Sequence, residues 1–301
     1  MNLKQFKYVL VLARTGSFSA AAEELNISQP SLSQYIKKIE RDLGIELFDR
    51  AGGNVRLTDA GRVYIDIGRK MLDLEHRMSV ALSDLSENKT GSVIVGTSPY
   101  RSASMMPTIA KRFRELYPKM HVVVEEHVTG DLIDGLARGE FDLCVLMLPV
   151  DDRTFAYERV MEEELLLAVP ASYPEMESVP MAGRRYGAVD LRQIDGRAFV
   201  SITETQLMQR IFDGICAEYD IRTECAAVVK SLEAQIAMVR AGVGMALVPG
   251  GIERFCGDGE VRFYSFVQEL PRREVVAVWR HDRPLSRAAQ ELVRLMKECF
   301  S

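Results

Sequence analysis

From Thr58 to about Glu87 the sequence reads as one uninterrupted helix. No proline or stop signal breaks it, Thr58 can cap it, and Asp59 sits favourably in its first turn. About 30 residues at ~1.5 Å each span about 45 Å, longer than a small domain can bury. Only Gly61 and Gly68 weaken the pattern. Ile67, Met71, Leu74, Met78, Leu82 and Leu85 recur at steps close to a heptad, so they form an apolar seam. Such a seam fits either a helix pair between two subunits or packing on the chain's own neighbouring module. Length favours the subunit pair. The helix, assigned to 59–88, divides the 301-residue chain into an N-terminal module, 1–58, and a larger one, 91–301.

The N-terminal module is helical by period. Leu3, Phe6, Val9, Leu10 and Ala13 recur at helical spacing, and Gly16 ends that helix. Ser17 can cap a second helix, Phe18 to Leu25, and Asn26-Ile27 makes a short turn. Ser28 caps a third helix whose Pro30 is tolerated because a first-turn N–H has no intrahelical partner. Leu32, Ile36, Ile39 and Leu43 give that helix a buried stripe, and Gly44 stops it. Two short capped helices across a tight turn form a helix-turn-helix. Leu47–Arg50 and Val55–Thr58 around the turn Ala51–Asn54 then predict a hairpin with an arginine on each arm, a wing able to reach phosphates.

Charge supports this division. The net charge of −5 argues against nucleic-acid binding for the chain as a whole, yet residues 1–65 carry nine Lys/Arg against seven Asp/Glu. A slightly basic module joined to an acidic remainder is expected where only one domain meets phosphate.

The run SFSAAAEELNISQPSLSQYIKKIERDLGIELFDRAGGNVRLTDAG, Ser17–Gly61, resembles the signature of LysR-type transcriptional regulators. The likeness lies in the Ala-Ala pair, the Ser-Gln-Pro-Ser-Leu-Ser opening, the Ile-Glu-x-x-Leu-Gly ending, the Leu-Phe-x-Arg wing and the Leu-Thr-x-x-Gly exit. The resemblance implies that bases are read from the start of the third helix: Gln29, Pro30, Ser31 and Ser33, with Gln34 and Lys37 on the exposed face. The chemistry agrees, since glutamine can pair bidentately with adenine, serine with most bases, and a proline ring can touch a thymine methyl. Lys38, Arg41, Arg50 and Arg56 suit phosphate contacts, which give affinity and register. Each of these charges could instead simply face solvent.

Past Asn88-Lys89-Thr90-Gly91, a polar linker, β and α patterns alternate. Strands are expected at 93–96, 121–127 and 141–148, with helices at 102–116 and 131–138 between them. A second series follows: strands 165–169, 198–202, 224–229 and 244–248, helices 205–217 and 232–240. A late strand, 274–279, and helix, 285–298, are assigned back to the first lobe. The expectation is α/β, with parallel sheets covered by helices on both faces. The lobes are placed at about 91–163 with 268–301, and about 164–267. Together with the family resemblance, this implies a winged helix-turn-helix, a long linker helix and a two-lobed effector-binding domain of periplasmic-binding-protein type.

Ligands in such folds bind at strand ends beside helix N-termini. That rule selects Thr97, Ser98, Pro99, Tyr100, Arg101 and Thr129 in the first lobe, and Ser201, Thr203, Glu204 and Pro249 in the second. The hydroxyls could equally be helix caps. Arg101 could hold a carboxylate or pair with an acid such as Glu204, and the ligand role is preferred, which points to a small organic acid. The stretch Pro174–Asp195 suits a surface loop better than a lid.

Other classes fit less well. His76, His121, His127 and His281 are dispersed, and no Gly-x-Ser-x-Gly, P-loop or His-Glu-x-x-His motif occurs, so neither an enzyme nor a metal site is expected. The five cysteines, Cys144, Cys216, Cys225, Cys256 and Cys299, form no C-x-x-C pair and read as reduced thiols. By the resemblance, peroxide-sensing relatives carry a reactive thiol early in the helix after strand 198–202; Glu204-Thr205-Gln206-Leu207-Met208 has none. Met1–Lys7 lacks a signal-peptide pattern, and no segment reaches the ~18 uncharged apolar residues of a membrane span, which suggests a cytoplasmic protein with no membrane partner. The expected partners are an operator in double-stranded DNA, a small-molecule effector, RNA polymerase and a second copy of the chain, as a homodimer or, by the resemblance, a homotetramer. No cofactor is expected. The main alternative is a DNA-binding regulator without an effector; a solute-binding protein would leave the helix-turn-helix unexplained.

Overall fold

Two serines start the second and third helices. In the computed structural model, Ser17 Oγ accepts from the Ala20 N–H at 3.4 Å and Ser28 Oγ from the Ser31 N–H at 3.3 Å. They begin α2, Phe18–Glu24, and α3, Gln29–Leu43, after α1, Leu3–Thr15. The structure describes residues 3–50, 55–85, 90–151, 153–204, 206–257 and 259–300, and the chain divides near Gly91 into two compact units.

In the first unit, Val9, Leu12, Ala21, Ala22, Leu32, Ile36 and Ile39 form one core. Gly44 closes α3 at φ 72°, a left-handed geometry that favours glycine. The expected stripe on α3 is corrected at its end. Leu43 is 40% exposed, and Glu40 is buried in the last turn instead. Strands β1, Phe48–Asp49, and β2, Arg56–Leu57, pair antiparallel as the wing. The predicted turn at 51–54 lies outside the described residues.

Helix α4, Asp59–Leu85, begins where Thr58 Oγ1 accepts from the Gly61 N–H at 3.0 Å. Its two glycines are sites of close approach. A Cβ at Gly61 would fall 2.1 Å from the Leu47 carbonyl oxygen, and one at Gly68 2.3 Å from the Phe6 ring. The start of α4 therefore packs on its own module, with Ile65 in the core. Further along, Ile67, Met71, Leu74, Met78 and Leu82 stand exposed. The side chain of Leu85 and the predicted helix end near Glu87 lie outside the described residues.

The second unit holds two sheets. The first contains β3 (Gly91–Thr97), β4 (Met120–Glu126), β5 (Leu143–Met147), β6 (Phe155–Glu163) and β13 (Arg273–Arg280), in the order β4-β3-β5-β13-β6. Side-chain alternation buries both faces. Leu143, Val145, Val275 and Ala277 point to the side covered by α5, Pro99–Leu116, and α9, Arg287–Phe300. Cys144, Leu146, Val276 and Val278 point to α6, Thr129–Ala137.

The second sheet runs β11-β7-β12-β8, from β7 (Leu165–Pro170), β8 (Ala188–Val189), β11 (Ala246–Pro249) and β12 (Val261–Phe266). Beside it β9, Ala198–Ile202, pairs parallel with β10, Glu224–Val229, and main-chain bonds from Val200 N to Met245 O and Met245 N to Ala198 O, both 2.8 Å, attach that pair. Helices α7, Leu207–Glu218, and α8, Leu232–Arg240, complete this core.

The sheets are mixed rather than parallel. β13 runs antiparallel to β5 and β6, and β7 antiparallel to β11 and β12. The chain leaves the first lobe along β6 and returns along β13, so these neighbours must point opposite ways. β6 escaped the sequence reading because Tyr157, Glu158, Arg159 and Glu162 break its apolar alternation, as edge strands allow. The 174–195 stretch is neither lid nor free loop. It supplies β8, parallel to β12, and the buried Leu191 and Ile194.

Candidate nucleic-acid interface and interlobe site

On α3 the 3.6-residue period sets Pro30, Gln34, Lys37, Lys38 and Arg41 on the face opposite Leu32, Ile36 and Ile39. All five are exposed, as are Gln29 and Ser31 at the helix tip, while Ser33 is half-buried. Ser31 Oγ lies 2.7 Å from Ser28 Oγ, so its hydroxyl also serves the cap. All four predicted phosphate contacts, Lys38, Arg41, Arg50 and Arg56, are exposed.

Arg50 differs. Its guanidinium pairs with the carboxylate of Glu40, 8% exposed, and lies 5.5 Å from the centre of the Phe18 ring. The other Glu40 oxygen accepts from the N–H groups of Leu47 at 2.9 Å and Phe48 at 3.1 Å. Glu40 thus fastens the wing to α3, and the exposed Arg50 pairs with it there. Sequence reading missed Glu40; the available signal was its place one turn after Ile36 and next to Ile39, at the border of the buried stripe.

The proposed effector residues differ in burial. Thr97 is fully buried and its hydroxyl donates to the Val145 carbonyl at 3.3 Å. Ser98 caps α5, accepting from the Arg101 N–H at 3.4 Å, and Pro99 is the first helical residue, ahead of the helix start expected at 102. Tyr100 is 5% exposed and packs in the core of the second lobe, 6.1 Å from the Phe255 ring. Thr129 is exposed at the start of α6, Ser201 is half-buried within β9, Glu204 is exposed and Pro249 is buried at the end of β11. Thr203 is half-buried, with its N–H donating to Val229 O at 3.0 Å.

Arg101 is corrected as well. It is 4% exposed and its acid is Glu163, not Glu204, with Nη2 donating to Glu163 Oε2 at 2.8 Å. The Tyr100 hydroxyl donates to Glu163 Oε1 at 3.4 Å, and Arg273 Nη1 lies 3.2 Å from Glu163 Oε2. Burial holds the Tyr100 phenol above its ordinary range, and pushes Arg273 down to about 10, so it stays charged at neutral pH. Glu163 and Arg273 are cross-strand partners at the end of β6 and the start of β13, where the chain crosses between lobes.

The helix-turn-helix matches the family model described as "Bacterial regulatory helix-turn-helix protein, lysR family" over residues 3–62, and residues 86–301 match "LysR substrate binding domain". The chain belongs to the LysR family of transcription regulators. This LysR-family regulator is 30% identical to the HTH-type transcriptional regulator YcgK of Bacillus subtilis, over 99% of this chain and 94% of that one. It is 27% identical to the transcriptional dual regulator OxyR of Escherichia coli, over 99% of this chain and 95% of the other. A full-length OxyR variant from Pseudomonas aeruginosa shares the fold with a TM-score of 0.70 at 23% identity, covering 99% of this chain and 95% of that one. CbnR, a LysR family transcriptional regulator, also gives 0.70, at 20% identity over 99% of each chain.

In the LysR-family chain, burial raises the thiols of Cys144, Cys216 (to about 11) and Cys256, which disfavours the reactive thiolate there. Among the described residues no helix is long and apolar enough to cross a membrane.

Proposed function

We propose that this regulator binds an operator of two half-sites as a homodimer, and that a small organic anion held by its two-lobed unit sets the affinity. The exposed polar face of α3, opposite its buried stripe, carries the DNA part of this reading. Gln29, Pro30, Ser31, Ser33 and Gln34 read base edges, with Lys37 bridging to the phosphate contacts Lys38, Arg41 and Arg56. Arg50 holds the wing in place. CbnR has been solved in complex with its target DNA, and that chain has the same fold at a TM-score of 0.68.

The dimer reading rests on α4. Leu74, Met78 and Leu82 are each 60% exposed or more, at helical spacing on one side of the helix. Apolar side chains so arranged seek a partner helix. Thr129 and Ser201 are the candidate hydroxyls for an effector, with Ser98 and Thr203 beside them, and RNA polymerase is the further partner of a DNA-bound dimer.

Selection from a random DNA pool, followed by fluorescence anisotropy on the winning fragment, tests this. The expected result is a site with two related halves about 10 base pairs, or a multiple, apart. A protein that enriches no sequence would overturn the DNA reading.

A further inference from the structure

Between α9 and the edge strand β6 the first lobe carries a groove of about 560 Å³, within the ~300–1,000 Å³ usual for small-molecule sites. Its apolar wall is made by Trp279 near the end of β13, by Pro284 and Leu285 in the turn that follows, and by Val293 of α9. Trp279 and Leu285 are half-buried and pack on the core beneath α9 while lining the groove. The turn is pinned by Arg283, 8% exposed, whose Nη2 donates to Asp142 Oδ1 at 2.9 Å. A wall held in this way needs no ordering when a ligand arrives. Trp279 lies six residues beyond Arg273 along β13, about 20 Å at the rise of a strand, so the groove is remote from the crossover between lobes.

The rim carries two acids and two bases, and they serve each other. Lys297 Nζ donates to Glu158 Oε2 at 2.8 Å, and Arg294 pairs with Glu298. A charged ligand would have to break one of these pairs, whereas an uncharged one leaves both intact. Gln290 spends its Nε2 on the Leu285 carbonyl, at 2.9 Å, which leaves Oε1 as the acceptor offered to a ligand. Among the described residues no other ring and no cation lies over the Trp279 indole. An aromatic ring placed there gains more than the apolar area it buries, because the edge of one ring is attracted to the face of the other.

From these features we infer that the groove binds an uncharged, hydroxylated aromatic molecule. Its ring lies on the wall of Trp279, Pro284 and Leu285, and its hydroxyl donates to Gln290 Oε1. The site depends neither on DNA nor on the effector proposed above.

Trp279 is the only tryptophan of the chain, so its fluorescence reports on this groove alone. The test titrates the full-length protein with benzyl alcohol, excited at the red edge of indole absorption, where the probe is dark. Cyclohexylmethanol, benzoate and benzylammonium serve as the saturated, anionic and cationic analogues. Benzyl alcohol should shift the emission saturably and raise Tm, as a ligand of the native state must. Each analogue should need a several-fold higher concentration for half-saturation. Gln290 is exposed, so its variants should fold. Gln290→Leu should weaken benzyl alcohol several-fold, and Gln290→Phe, which places a ring of its own in the groove, should abolish the response. A linear, unsaturating change overturns the site, and so does a saturable change accompanied by a falling Tm. Equal binding of cyclohexylmethanol overturns the aromatic assignment, and tighter binding of either charged analogue overturns the uncharged one. A Gln290→Leu midpoint equal to wild type removes the hydroxyl contact, and a Gln290→Phe protein that responds like wild type places the probe elsewhere.

Discussion

Helices α3 and α5 open with nearly the same local grammar and meet opposite surroundings. Each has a serine cap whose hydroxyl accepts from the third following N–H, and each has a proline in its first turn. The residues after the α3 cap, Gln29, Pro30 and Ser31, are exposed. After the α5 cap, Tyr100 and Arg101 are buried and tied to Glu163. Each helix also answers to one buried acid: Glu40 lies on α3 itself, whereas Glu163 reaches α5 from a strand distant in sequence. A cap thus states where a helix begins. What its first turn faces depends on the parts of the chain that fold over it.

The largest expected effect concerns what α3 needs outside its own module. Leu74→Glu places a charge in the exposed seam of α4. The dimer should dissociate in sedimentation velocity, and affinity for a two-half-site fragment should fall roughly 10²- to 10⁴-fold with the loss of bivalency. Leu74 is 62% exposed within its own chain, so the first unit should keep its stability within about 0.5 kcal/mol. An unchanged sedimentation coefficient would remove the seam from the account.

Next come the two acids, which sharpen the comparison directly. Glu163→Ala strands two buried arginines and should cost about 3–5 kcal/mol in urea unfolding of the second unit. Glu40→Ala should cost less, roughly 2–3 kcal/mol, because Arg50 can turn to water while only the Leu47 and Phe48 N–H groups lose their acceptor. If Glu40→Ala proved the more damaging, the wing joint would matter more than the interlobe cluster.

A smaller loss tests the exposed first turn. Gln29→Ala should cost roughly 1–3 kcal/mol against the best operator and relax preference at one position per half-site. Site selection that returned the wild-type profile would mean that α3 docks differently. The smallest effects belong to the caps, since Ser28→Ala and Ser98→Ala should each destabilise by about 1 kcal/mol. Of the two, only Ser28→Ala should also weaken DNA binding, and equal weakening by both would break the contrast between the helices.

Local signals made the first unit readable. Ser17, Ser28, Gly16 and Gly44 mark helix ends through caps and left-handed turns, and Leu32, Ile36 and Ile39 repeat at the helical period. These features act within a few residues, so the sequence by itself determined the helix-turn-helix, its outward face and the exposed seam on α4. The second unit was readable as alternating strands and helices, but not in strand direction or in the environment of its polar groups. Arg101 and Glu163 are 62 residues apart, and Arg273 lies a further 110 along. A charged group is buried or exposed according to the strands that close over it, and the cost of burying it is met by whichever partner the fold supplies. Tertiary structure alone therefore decided that Thr97 and Arg101 turn inward, that Arg50 belongs to Glu40, and that Arg273 lies buried beside Glu163, because each of these outcomes depends on contacts between segments that no local pattern connects.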